Sequence, residues 1–88
     1  MLKQMQFTTT RALELYIINA ASDMLNAIFG ENSMFLCQGN STEEDMETDD
    51  ISKVIAWCYK RPTRYRVTLS HFGKENEVDY WFVQCRPS

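Results

Sequence analysis

Between residues 11 and 29 the chain contains neither Gly nor Pro, and no other stretch restricts the fold as much. Thr8, Thr9 and Thr10 supply hydroxyl caps just ahead of it. Gly30 follows, where helices commonly end. One long helix is the expectation. Arg11, Asn19, Ser22, Asp23 and Asn26 then share a narrow stripe, at about 100° per residue. Leu13, Ile17, Ala20, Ala21, Met24, Ala27 and Ile28 fall opposite. Tyr16, Ile18 and Leu25 widen the apolar arc to roughly 200°, well past what one-sided packing needs. Such a helix must touch more than one layer. It packs either on a sheet and a second helix, or along a homodimer seam through helix 11–29.

The remaining elements are shorter. Residues 1–7 alternate weakly and read as an edge strand or a lead-in. Met34, Phe35, Leu36 and Cys37 make a short apolar run, a buried strand closed by Gly39 and Asn40. Ile51, Val54, Ile55 and Cys58 recur at helical spacing, and Pro62 forbids continuation, so a second helix spans about 50–60. Residues 64–70 and 77–85 read as a hairpin around 73–76. Pairing Phe72 with Glu77 puts Tyr65, Val67, Leu69, His71, Val78, Tyr80 and Phe82 on one face, toward the first helix, 11–29. Arg64, Arg66, Thr68, Ser70, Asp79, Trp81, Val83 and Cys85 take the other face. The expected fold is α+β: a two-layer domain with a long N-terminal helix and a shorter second helix. These pack on a small, mostly antiparallel sheet ending in a C-terminal hairpin. The 88 residues, with 44% hydrophobic and 24% charged content, read as a single domain over 1–88.

Charge reverses sharply along the middle of the chain. Residues 41–50 hold six of the twelve acids, and Lys53, Lys60, Arg61, Arg64 and Arg66 follow before the next acid, Glu75. Part of this pattern suits a helix dipole, with acids at the start and Lys60 and Arg61 at the finish. Ser41 and Glu44 have the spacing of a capping box, so residues 42–49 are either a helical lead-in or a loop.

Signatures of chemistry are weak. No two of Cys37, Cys58, His71 and Cys85 stand closer than 13 residues, and the predicted faces put His71 and Cys85 on opposite sides. A structural zinc site recruits close pairs instead. Asp45, Glu47 and Asp49 alternate like calcium ligands, but the sixth and twelfth positions hold Asp50 and Ala56 rather than Gly and Glu. His71 is the only candidate base for a cysteine nucleophile, and Cys58 sits near the disfavoured end of its helix. There is no phosphate-binding glycine loop. The expectation is no enzyme, no metal and no cofactor. Three cysteines, no leader-like apolar run and no run of 18 apolar residues point to a reduced, cytoplasmic protein without a membrane span.

Binding remains. The first candidate surface is the basic turn with the outer hairpin face: Arg61, Arg64, Arg66 and Trp81. The second is an acidic ridge of Glu43, Glu44, Glu47 and Asp50; helical spacing would set Glu43, Glu47 and Asp50 about one turn, 5.4 Å, apart. Trp57, expected to point outward, would be a further interface anchor. The chain's net charge is −3, which favours a protein partner. The reading is a small regulatory, adaptor or inhibitor protein. The alternative is an RNA- or DNA-binding module using turn 60–66, with cations for phosphates and aromatics for bases.

Overall fold

The computed structural model describes residues 3–61 and 65–87. Strand β1 (Gln4–Phe7) leads into helices α1 (Thr10–Asn19) and α2 (Ser22–Phe29). Strand β2 (Ser33–Gln38), a short 3-10 turn (Thr42–Glu44) and strand β3 (Met46–Thr48) follow. Helix α3 (Ile51–Tyr59) precedes the hairpin of β4 (Tyr65–Glu75) and β5 (Val78–Pro87). The class is α+β, with three helices packed on a five-stranded mixed sheet of order β1-β4-β5-β2-β3. The β2–β5 pair is parallel and the other pairings are antiparallel.

The long N-terminal helix does not form. Ala20 (φ −93°, ψ 138°) and Ala21 (φ −73°, ψ 156°) are extended and divide the stretch into two helices. No Gly or Pro marks the break, so helix propensity yields to tertiary packing. Asn19 and Ser22, residue types that suit helix ends, flank the break. The bend lets Phe29 meet Trp81 and Phe35, with ring centroids 5.1 and 5.5 Å apart. The acidic block is likewise neither a helical lead-in nor a plain loop. It holds a 3-10 turn and then an edge strand, with Phe35 opposite Thr48 and Cys37 opposite Met46.

The hairpin closes two residues later than expected. Asn76 (φ 53°) and Glu77 (φ 66°) form a two-residue turn with both φ positive, the geometry that follows strand twist. A bulge between His71 and Gly73 then shifts the register by one. His71 faces Trp81, Leu69 faces Val83 and Val67 faces Cys85. This reverses the predicted faces of β5. Trp81, Val83 and Cys85 point to the helices, while Tyr80 and Phe82 point away.

The core comprises Leu13, Phe29, Phe35, Val54, Ile55, Trp57, Val67, Leu69, Trp81 and Val83, with the buried thiols Cys37 and Cys58. Trp81 has no exposed surface, and its Nε1–H donates to the Phe29 carbonyl at 3.0 Å. His71 Nε2 lies 2.9 Å from Asp79 Oδ1 beside that indole. A Cβ at Gly30, where φ is 99°, would collide with the Asp79 carboxylate. At the surface, the Glu14 carboxylate joins α1 to α3, accepting from Arg11 Nη1 and the Tyr59 hydroxyl, each at 2.5 Å.

Trp81→Phe removes the indole donor to the Phe29 carbonyl and leaves a gap. It should lower stability by about 2–4 kcal/mol, read as a lower urea midpoint at unchanged m-value. A pH effect follows from Glu14. The Tyr59 hydroxyl first, and the Arg11 guanidinium second, hold its carboxyl below the usual glutamate range. Its contribution is therefore present above the unfolded-state pKa and lost as pH falls through the folded one. NMR titration should find the Glu14 carboxyl lower in the wild type than in Tyr59→Phe.

Candidate functional site

The register that buries Trp81 also builds the opposite face of the sheet. On that face Met34 lies beside Tyr80, Leu36 beside Phe82 and Gln38 beside Gln84, through the parallel β2–β5 pair. Gln4 and Gln6 of β1 meet Ser70 and Thr68 of β4, which in turn meet Phe82 and Gln84 of β5. All these residues retain solvent exposure.

The face is graded. At one end sits an aromatic group. Phe72, 40% exposed, stacks on Phe82 with centroids 4.1 Å apart and planes at 18°, and lies 5.8 Å from Tyr80. The bulge creates this arrangement, because Phe72 and Gly73 together stand opposite Tyr80. The middle is neutral and polar. At the other end Arg66 lies directly opposite Arg86, both exposed. Arg86 Nη2 donates to Gln84 Oε1 at 3.2 Å, and among the described residues neither arginine has a carboxylate partner. A depression of about 300 Å³ lies between Gln4, Gln6, Arg66, Thr68, Gln84 and Arg86. Like charges directly opposite on a sheet oppose folding.

The first predicted surface is only partly on this face. Arg66 is there, and Arg64 lies outside the described residues. Trp81 is a correction: expected outside, it is fully buried, because turn and bulge displace the register by an odd number of residues. Arg61 is not an open cation. Its guanidinium lies 4.2 Å from the Trp57 ring centroid and 3.6 Å from Glu44 Oε2. Trp57 is a second correction, 4% exposed, with its Nε1–H donating to the Glu44 carbonyl at 2.7 Å.

The acidic ridge does not form either, since residues 42–50 are not one helix. Glu44 Oε2 accepts the Asn40 amide and Asp45 Oδ1 accepts the Gly39 amide, both at 2.8 Å. Asp50 caps α3, accepting from Ser52 N at 2.9 Å, and its Ser52 hydrogen bonds hold its carboxyl below the usual range. Glu43 and Glu47 stay exposed, Glu43 on the 3-10 turn and Glu47 opposite Leu36 on the outer face. His71 and Cys85 share the inner face, contrary to expectation, but His71 is joined to Asp79 beside Trp81. Among the described residues no cluster of His, Cys, Asp or Glu has the arrangement of a metal site, and no helix is long and apolar enough to cross a membrane.

Phe72, Tyr80, Phe82, Met34, Leu36 and Arg86 were not singled out by sequence. The usable signal was that β5 is apolar at both parities, Tyr80 and Phe82 on one, Trp81 and Val83 on the other. One set had to be left outside. Outside the core Tyr16, Ile18 and Met24 of the predicted apolar arc are exposed, Ile18 at 64%, as is Leu15 outside that arc. Comparison with protein-family models, curated proteins and solved structures finds no match.

Because Arg66 and Arg86 repel each other across the ladder, Arg86→Gln should stabilise the protein. The expected gain is about 0.2–1 kcal/mol at low ionic strength, shrinking as salt screens the pair. Thermal melts of both proteins across a salt series check this.

Proposed function

We propose that this chain is a small non-enzymatic binding protein that docks another protein on the outer face of its sheet and so acts as a regulator, adaptor or inhibitor. The observation that carries the reading is the exposed stack of Phe72 on Phe82, continued by Tyr80, Met34 and Leu36. Solvent-facing aromatic and aliphatic groups massed on one face are typical of interaction sites. The amides and hydroxyls around them, with Arg66 and Arg86 at the margin, supply the polar rim such interfaces have. The reading treats the domain as two-layered, with helices on the inner face alone. It also assigns the protein to the cytoplasm, where its three free thiols stay reduced.

Single-stranded RNA or DNA is the second reading, favoured by the Arg66–Arg86 pair, which has no carboxylate partner among the described residues and lies in line with the aromatic rings. Phosphates would take the arginines and bases the rings. The protein reading is preferred because Phe72 and Phe82 already cover one face of each other, which leaves less ring surface for bases. A second copy seated on Leu15, Ile18 and Met24 is a further protein partner that the exposure of these residues supports. It predicts twice the monomer mass by light scattering.

Two double variants separate the first two readings. Phe72→Ser with Tyr80→Ser should abolish capture of partners by the immobilised protein while the circular dichroism stays native. Arg66→Glu with Arg86→Glu should leave most of that capture intact. Steeply salt-dependent retention of the wild type on single-stranded RNA, lost in the arginine variant, would instead establish the nucleic-acid reading. Unchanged protein capture by the aromatic variant would overturn the proposal.

A further inference from the structure

Two depressions meet at Arg86. The one over β1, β4 and β5, about 300 Å³, has Arg66 and Arg86 in its wall with Gln4, Gln6 and Thr68. The other, about 420 Å³, opens beyond the carboxyl ends of the parallel strands β2 and β5. Open sheets commonly hold ligands at such ends. Gln84 and Arg86 line both depressions. A short relay fixes this shared wall. Arg86 Nη2 donates to Gln84 Oε1 at 3.2 Å, and Gln84 Nε2 donates to Gln38 Oε1 at 3.1 Å. A guanidinium has five N–H donors, and this relay occupies one of them.

The two depressions differ in charge. The smaller holds two cations and, among the described residues, no acid. Arg66 and Arg86 are cross-strand partners on one face, which sets their Cβ atoms about 5 Å apart. Two long side chains rooted so close together reach a common point. Two guanidiniums there match a dianion better than a monoanion. A phosphate monoester carries about −1.5 to −2 near neutral pH, and its oxygens accept in the forked geometry that arginine offers. A nucleic-acid backbone phosphate carries a single charge. The larger depression is polar with little charge. Gln38, Asn40, Ser41 and Thr42 present exposed amides and hydroxyls. Asp45 accepts the Gly39 amide through Oδ1 at 2.8 Å, and its second oxygen is an acceptor for a hydroxyl. Among the described residues neither wall contains an aromatic ring. A nucleobase would have nothing to stack on, whereas a polyol has hydrogen-bond partners throughout.

We propose that this end of the sheet binds a small sugar phosphate. The monoester sits between Arg66 and Arg86, and the sugar hydroxyls lie in the depression beside residues 38–42. This ligand is distinct from the protein docked at the aromatic end. Phe72 and Tyr80 each stand six residues along their strand from Arg66 and Arg86, roughly 20 Å away, so neither reading depends on the other. The bound anion also offsets the repulsion between the two arginines, so ligand binding stabilises the fold.

Glucose 6-phosphate is the probe, titrated into the isotope-labelled full chain and followed by amide chemical shifts. Saturable shifts should cluster at Arg66, Gln84 and Arg86 and at residues 40–42. Inorganic phosphate should move the arginine cluster alone, and glucose should move neither set. Arg86→Gln, expected to be at least as stable as the wild type, should bind the sugar phosphate about tenfold more weakly or worse. The absence of saturable shifts at about 20 mM would overturn the site, because specific ligands of this size bind well below that concentration. Equal affinity for glucose 6-phosphate and inorganic phosphate, with residues 40–42 unmoved, would overturn the sugar half. Tighter binding of a phosphoserine peptide would assign the monoester to a phosphorylated protein instead. Shifts at Arg66 and Arg86 with single-stranded RNA lacking terminal phosphates, and none with glucose 6-phosphate, would assign the pair to nucleic acid. All but one of these readouts use the wild type, so the site is decided even if the variant does not fold.

Discussion

Burial of the Trp81 indole is the constraint from which the rest of the arrangement follows. It is the largest fully buried side chain, and its N–H needs a partner there. The Phe29 carbonyl, at the open end of α2, needs a donor. One hydrogen bond satisfies both and fixes where α2 must stop. Phe29 then packs edge-on against Trp81 and Phe35, joining α2 to the parallel strand pair. His71 also stands edge-on to the indole at 5.1 Å and holds Asp79. The Asp79 amide in turn donates to Asn32 O at 2.8 Å, where β2 begins. Gly30 is needed at this junction because the Asp79 carboxylate occupies the space of any side chain.

How far the sequence discloses this depends on whether one pattern excludes its rival. Helix α3 was legible because the Ile51, Val54, Ile55, Cys58 series has helical spacing, and strand β2 because Met34 to Cys37 is a short apolar run closed by Gly39 and Asn40. The hairpin was legible as a hairpin but not in register. Its β5 strand is apolar on both parities, so the alternation that normally fixes a face was uninformative. The deciding features were a turn at Asn76 and Glu77 and a bulge at Phe72, and Glu77 is not a residue type that announces positive φ. The break at Ala20 and Ala21 has no Gly or Pro to announce it, only Asn19 and Ser22 beside it, and it accompanies the packing of Phe29 on Trp81. Strand β3, three residues long, exists through its pairing with β2 rather than through any period of its own.

The charge reversal that dominates the middle of the chain is largely structural. Asp45 and Glu44 accept loop amides, Asp50 caps α3, and Arg61 is held between Trp57 and Glu44. Gly39 is pinned in the same cluster: a Cβ there would strike Glu44. Among the described residues of that stretch, the side chains of Glu43, Glu47, Asp49, Lys53, Lys60 and Arg66 make no hydrogen bond or ion pair, and on the outer face Arg66 stands opposite Arg86. The candidate site was therefore half-legible. Arg66 was visible as a cation outside the helix, but its partner Arg86 and the aromatic end emerged only with the register.

The bulge gives the strongest reason to regard the outer face as selected rather than left over. A regular ladder from the Asn76–Glu77 turn would pair Phe72 with Trp81 and place the rows of the hairpin one residue apart from those observed. Inserting one extra residue restores Leu69 to Val83 and Val67 to Cys85 in the core, and it also sets Phe72 and Gly73 side by side opposite Tyr80. Bulges carry a local loss of ladder hydrogen bonding and re-aim side chains. Core packing accounts for the shift itself. It does not account for a phenylalanine at the bulge, where a polar residue would be hydrated without loss. Gly73 adds no side chain beside it, and nothing lies within 4 Å of where its Cβ would be, so the ring is free to lie on Phe82 in the open. Phe72 stays 40% exposed at a position that did not require an apolar ring, and this supports the proposed docking face.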